Sequence, residues 1–213
     1  MPRGGRLCSK RLLLIMSTSF PKAPASATPD PRVIEAVSMR TRMLTRLRGQ
    51  QTLRHMRKLG VRAHSPIRLA SRSIVDPDFA WAVEIGANTI IANDVRIIAH
   101  DAAIKRLIGY TEVRPVVIGE RCYIGARTTV LPGAVIGDDA IIGAGALVRG
   151  EIPARSLAVG NPAKVIGSIE DLRKRHLAQM ESIPRFGFPT DLSAAKIDEM
   201  RHALAEHGRI YVL

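Results

Sequence analysis

Residues 116–148 read VVIGERCYIGARTTVLPGAVIGDDAIIGAGALV, and every sixth position from Ile118 is aliphatic: Ile118, Ile124, Val130, Ile136, Ile142 and Val148. Glycine follows at Gly119, Gly125, Gly137 and Gly143. Four places after each aliphatic stands a small or apolar residue, namely Cys122, Thr128, Ala134, Ala140, Ala146 and Ile152. Upstream, Ile85, Ile91 and Ile97 keep the beat, with Thr89 and Val95 as companions. A period of six matches neither an amphipathic helix nor the two-residue alternation of a half-buried strand. It is internal repetition, and it fits a chain coiling round a prism with one short strand and one corner per beat. Each aliphatic then points inward, its companion fills the corner, and glycine stands where a β-carbon would crowd the turn. Stacked coils pair with the coils above and below, so each layer completes its neighbour's core. An antiparallel sandwich would show turn signals at irregular spacings instead.

The beat stops between Ile97 and Ile118, whose separation is not a multiple of six. The intervening AHDAAIKRLIGYTEVRP predicts a loop extruded over 99–116. Loops on a rigid scaffold are where chemistry usually sits, and His100 opens this one. With an ordinary pKa near ~6.5, a histidine takes a proton from an attacking hydroxyl or amine and returns it to a leaving thiolate. The alternative role for His100 is to satisfy backbone groups at the loop mouth. No Gly-x-Ser-x-Gly elbow is present, and Cys122 falls on an inward position, so direct transfer is more economical than a covalent acyl-enzyme.

The chain outside the repeat sets bounds. Its formal charge of +13 is concentrated at one end: residues 1–62 hold 14 Lys/Arg against 2 Asp/Glu. The body is close to neutral, which argues against a nucleic-acid reader. Residues 1–31 read as a flexible leader rich in Pro, Ser and Ala. Residues 32–62 read as a basic helix, packed on the first layers or in weak contact with an anionic membrane surface. LLLIM is short for a secretory h-region and no apolar run is long enough to span a bilayer, so a cytoplasmic protein is expected, with Met16 an alternative start. Two cysteines make no disulfide framework. The coils carry too few histidines for a metal site, and the glycines serve corners rather than a dinucleotide fingerprint or P-loop. The repeat domain is expected over 63–167. A helical tail over 168–213 follows, with one helix capped by Ser168 and Asp171, another stopped by Gly208, and RIYVL as a closing strand. Such a tail would cover the open end of the coil.

Residues 100–167, from HDAAIKRLIGYTEVRP through VVIGERCYIGA, VLPGAVIGDDAIIGAGALV and GNPAKVIG, resemble the hexapeptide-repeat acyltransferases of the maltose, galactoside, xenobiotic and capsular-polysaccharide O-acetyltransferase type. The resemblance implies a mainly β fold, a left-handed parallel β-helix, with helices at both termini. It implies acetyl-CoA as donor, no metal, and a homotrimer with sites between subunits. It gives His100 the role of general base. It gives Gly125 and Ala126 the backbone contacts at the thioester, beside Tyr123 where the family often has Trp. Ala144 aligns with the pantetheine arm, and Asn161, Pro162, Ala163 and Lys164 with the adenine end. Two departures stand out. The family's common Thr-Lys is Arg149-Gly150 here, which makes Arg149 the substitute for a phosphate lysine. No Asn occurs between residues 51 and 87, so the family's galactoside-holding asparagine has no counterpart. Asp101, Lys105 and Tyr110 of the loop resemble polysaccharide-modifying members and are candidate acceptor contacts. The reading is therefore an O-acetyltransferase acting on a saccharide or glycoconjugate hydroxyl. The alternatives are an N-acetyltransferase of an amino sugar and a non-catalytic β-helix scaffold.

Overall fold

The computed structural model describes residues 53–187 and 193–212. The leader and the basic helix as far as residue 52 lie outside the described residues; of that helix, Leu53–Lys58 is described (α1), with Met56 buried. Three beats of the repeat make one coil. The first coil is β1 (Arg62–Ala63), β2 (Arg68–Leu69) and β3 (Ile74–Val75), and the second is β4 (Val83–Ile85), β5 (Ile90–Ile91) and β6 (Arg96–Ile97). The chain then leaves the coil through β7 (His100–Asp101), α2 (Lys105–Ile108) and β8 (Glu112–Val113). It returns as β9 (Val116–Ile118), β10 (Tyr123–Ile124) and β11 (Thr129–Val130), followed by β12 (Val135–Ile136), β13 (Ile141–Ile142) and β14 (Leu147–Val148). The last turn is β15 (Glu151–Ile152) and β16 (Ser156–Val159), against which β17 (Lys164–Ser168) folds back antiparallel.

Three parallel faces result: β1-β4-β9-β12-β15, then β2-β5-β10-β13-β16 extended by β17, then β3-β6-β11-β14. This is the parallel β-helix the repeat led us to expect, consistent with the left hand that the family resemblance implies. Register puts like on like. Ile85, Ile118, Ile136 and Ile152 form one interior column, Ile91, Ile124, Ile142 and Ala158 the second, and Val75, Ile97, Val130 and Val148 the third. All are buried, each Ile or Val contributing ~1.5–3 kcal/mol of burial free energy. Because side chains alternate faces, a one-residue slip would turn a whole column outward, which locks the register.

Corners separate two demands that the sequence reading had merged. A left-handed backbone recurs every sixth residue at Arg121, Arg127, Gly133, Asp139 and Gly145. The glycines after the aliphatics meet the other demand, close approach of the next coil: a β-carbon on Gly125 would lie 2.5 Å from the Ala144 nitrogen. One assignment is corrected. Ile152 is no corner companion of Val148 but an interior aliphatic paired with Ile136, because the corner before it is short. Departures from the beat occur at three places, Val75 to Ile85, Ile97 to Ile118 and Val148 to Ile152. All three fall at the corner leading from the third face to the first.

After β17, α3 (Ile169–Gln179) begins at Ser168, whose Oγ accepts from the Asp171 N–H at 3.0 Å and donates to Asp171 Oδ2 at 2.6 Å. The described residues fall in two compact units, divided at Ser182/Ile183. In the second, β18 (Arg185–Phe186) pairs in parallel with β19 (Tyr211–Val212). Its helix α4 (Ala194–His207) starts at Ser193 and ends at Gly208, left-handed at φ 69°. No described helix is long and apolar enough to cross a membrane.

Candidate active site

The break in the repeat is a small hairpin. His100 and Asp101 pair antiparallel with Val113 and Glu112, α2 forms the tip, and Gly109 at φ 81° ends it. His100 therefore stands at the root, one strand-end beyond the interior Ile97, with 27% of its side chain exposed.

Its imidazole is held from the layer below. His100 Nδ1 lies 2.5 Å from Asp76 Oδ2. Asp76 follows the interior Val75, and its side chain has no solvent exposure. Its Oδ2 also accepts from the Ala99 N–H at 3.0 Å, and Oδ1 accepts from the N–H groups of Asp78 and Phe79 at 3.1 Å each. Burial pushes this carboxyl up, but the hydrogen bonds from His100, Ala99, Phe79 and Asp78 outweigh it and hold it below the usual carboxylate range. An ionised carboxylate only accepts, so Nδ1 carries the proton and Nε2 is left as the basic lone pair. No described residue bonds Nε2. The Phe79 ring tilts against the imidazole at 4.9 Å between centroids and closes one side of it.

Neither Asp76 nor Phe79 was singled out from the sequence. A signal was available: counting back from Ile85 lands on Phe79 instead of an interior aliphatic, so the beat had already slipped between Val75 and Ile85. That slip lies at the same corner as the His100 excursion.

The other expected residues form two further groups. Asp101, Lys105 and Tyr110 lie on the excursion and are exposed, and Asp101 Oδ1 is engaged by the Ala103 N–H at 2.8 Å. The donor candidates gather at the next corner round the coil, between the second and third faces. There Gly145 N–H donates to the Ala126 carbonyl, and Gly125 N–H to Ile142. The N–H groups of Ala126 and Ala144 meet no acceptor among the described residues. Tyr123 lies on the outer side of the second face in register with Ile90 and Ile141. Gly160 to Ala163 stacks over Leu147 through bonds of 3.0 and 2.8 Å, with Asn161 and Lys164 exposed. Arg149 is exposed just after the third face. Within one chain the structure brings Ala126, Ala144 and the Asn161–Ala163 reversal to one corner and His100 to another, with the third face between. Burial pushes the Cys122 thiol up, and its Sγ donates to the Gly137 carbonyl at 3.2 Å inside the coil.

Residues 115–150 match the profile of the bacterial transferase hexapeptide, six repeats. This segment is a bacterial transferase hexapeptide repeat. The chain is 38% identical over 104 residues to YvoF of Bacillus subtilis (strain 168), provisionally assigned as an acetyltransferase, a match covering 48% of this chain and 58% of that one. It is 37% identical to WbbJ of Escherichia coli (strain K12), provisionally a lipopolysaccharide biosynthesis O-acetyl transferase, over 40% of this chain and 50% of that one. The chain thus spans little more than half the length of these relatives. Among solved structures, a maltose O-acetyltransferase from Clostridium difficile 630 is 26% identical with a TM-score of 0.45, covering 65% of this chain and 89% of that one. The hexapeptide repeat proper covers only the third and fourth coils with their flanks; Asp76 and His100 both precede it.

Proposed function

We propose that this protein transfers an acetyl group from acetyl-CoA to a hydroxyl of a saccharide or glycoconjugate, with His100 as general base. The observation that carries the reading is the buried, four-fold hydrogen-bonded Asp76 carboxylate on His100 Nδ1. A histidine that only satisfied a loop mouth would need no ionised carboxylate sealed beneath it. The names of YvoF and WbbJ support the acetyl group as the one transferred, and that of WbbJ the ester product.

The steps follow from that geometry. His100 Nε2 accepts the acceptor's hydroxyl proton as its oxygen attacks the thioester carbonyl. Asp76 fixes the tautomer and stabilises the imidazolium that forms. The developing oxyanion is offered the N–H of Ala126. Collapse breaks the carbon–sulfur bond, and the departing CoA sulfur takes the proton back from Nε2. The thiol of Cys122, buried and raised, stays out of this sequence.

The donor corner and the base corner are separated by a full face of one coil, so a second copy is needed to bring Ala126 of one subunit to His100 of another. This supports a homotrimeric assembly with sites between subunits. Arg149 and Lys164 supply exposed positive charge for the CoA phosphates.

The test is CoA release from acetyl-CoA across a panel of sugars, wild type against His100→Ala. Loss of turnover by about 10²–10⁴-fold, with acetyl-CoA binding kept, is the expected result. Equal turnover in both proteins removes His100 as base. Mild alkali then separates an O-acetyl ester from an N-acetyl amide.

A further inference from the structure

Trp81 is the only tryptophan of the chain, and 60% of it is exposed. It sits in the short 3-10 turn Ala80–Ala82 that fills the slip between the first and second coils. Two contacts hold the residue. Its ring edge packs on Phe79 at 6.4 Å and 64°, the same Phe79 that lies against the His100 imidazole. Its backbone is pressed on Gly60, where a β-carbon would come within 3.0 Å of the Trp81 Cβ. A large aromatic ring paired with Phe79, carried on backbone held against Gly60 and still 60% exposed, is poised to receive a ligand at little cost in side-chain entropy.

Trp81 borders a cleft of about 460 Å³ lined by Gly60, Arg62, Trp81, Ala82, Val113 and Pro115. Val113 is the cross-strand partner of His100, so the cleft runs along the root of the same hairpin. Its rim is polar. The Arg62 guanidinium, itself well exposed, bridges to Glu84 at 3.0 Å, and the indole N–H has no acceptor among the described residues. An apolar plate with a few convergent polar groups at its edge matches a pyranose ring, which has C–H bonds on its faces and hydroxyls round its rim.

We propose that Trp81 is the platform on which a saccharide ring of the acceptor stacks, with Arg62 meeting its hydroxyls. The platform fixes the acceptor relative to Nε2 through the unbroken contact Trp81–Phe79–His100. This rests on the acetyl-transfer reading for the identity of the ligand. Trp81 takes no part in proton transfer and acts on specificity.

The sole tryptophan makes the test direct. Full-length protein is titrated, without acetyl-CoA, with glucose, galactose, N-acetylglucosamine and disaccharides of each, and Trp81 emission is followed. Saturable change with at least one sugar is expected, together with a rise of about five- to tenfold in acceptor KM for Trp81→Ala. Trp81→Phe is expected to keep most of the affinity, with the KM for acetyl-CoA unchanged in both variants. Emission unmoved by every sugar overturns the platform. So does emission that is already blue-shifted and follows protein concentration, which would mean a second copy covers the ring. An equal response to thymidine or ADP also overturns it, in favour of a base-stacking site. Sugar-dependent emission without acetyl transfer would leave the platform standing and sink the transferase reading; transfer with an unaltered KM in Trp81→Ala would do the reverse.

Discussion

Two corners of the same coil put one repeat to opposite uses. Between the first and second faces the beat never slips from Ile85 onward, and the corner residues pair up the stack. Arg121 grips Asp139 of the next coil with Nε and Nη2 at 2.8 and 3.0 Å, and the Glu120 N–H donates to Asp138 at 2.8 Å. Between the third and first faces the beat slips three times, and there stand Asp76, Phe79, Trp81 and His100. At this first-to-second corner Glu120, Arg121, Asp138 and Asp139 are committed to the coil above or below. Where the beat slips, extra residues escape that commitment, and loop-closure entropy grows only slowly with the added length. The rigid columns on either side then hold the escaped residues in place, which is what a catalytic constellation needs.

The largest expected effect tests whether the slipped corner works as a unit. Asp76→Asn keeps size and at most the two hydrogen bonds accepted by one oxygen, and it removes the charge that fixes the His100 tautomer. Its kcat should fall by about 10²–10⁴-fold with acetyl-CoA affinity unchanged. A kcat within twofold of wild type would reduce Asp76 to a structural cap. The pH dependence has a definite sign. The folded carboxyl lies below its ordinary range, so its stabilisation is fully present above the ordinary carboxylate pKa. It is lost as pH falls through the lowered folded value. Acid unfolding of Asp76→Asn should lack that component.

The same contrast explains what was legible in the sequence. Residues committed to the coil announce themselves by period, so the three interior columns, the crowded glycines and the extruded segment could be read from Ile85 onward. His100 was legible because it opens the longest slip. Asp76 and Trp81 were not, since the shorter slip before Ile85 contains no histidine and its Asp-Pro and aromatic residues read as an ordinary loop. Their meaning comes from stacking: Val75 pairs with Ile97, which brings Asp76 beneath His100 across 24 residues of sequence. Ile152 was misread for a related reason, because a shortened corner makes the count of four after Val148 coincide with an interior position.

Stability should divide along the same line. Gly119, at the regular corner, has the Asp138 nitrogen 2.7 Å from where a β-carbon would be placed. Gly119→Ala therefore forces two coils apart and is expected to cost about 3 kcal/mol. Gly109, at the tip of the excursion, has open space around it and only a left-handed φ of 81° to lose. Gly109→Ala should cost about 1 kcal/mol. Denaturant melts of both, at unchanged slope, check the ratio; equal costs would mean that the hairpin is as tightly bound as the coil.

The smallest effect concerns the charged stack itself. Asp139 is held below the usual carboxylate range chiefly by the hydrogen bonds from Arg121, against a smaller opposing push from burial. By the same linkage its contribution is present above the ordinary carboxylate pKa and disappears as pH falls through the lowered folded value. The Arg121 side chain remains 46% exposed, so screening keeps the gain small even for a two-pronged pair. Asp139→Asn should lower the melting temperature slightly at neutral pH and low salt. It should do so less in concentrated salt, and not at all once the carboxylate of the wild type is protonated. Asn suits the left-handed backbone that Asp139 adopts at φ 57° at least as well as Asp does, so the substitution isolates the charge. A large or salt-independent loss would therefore sink the account of this corner as a screened ion pair.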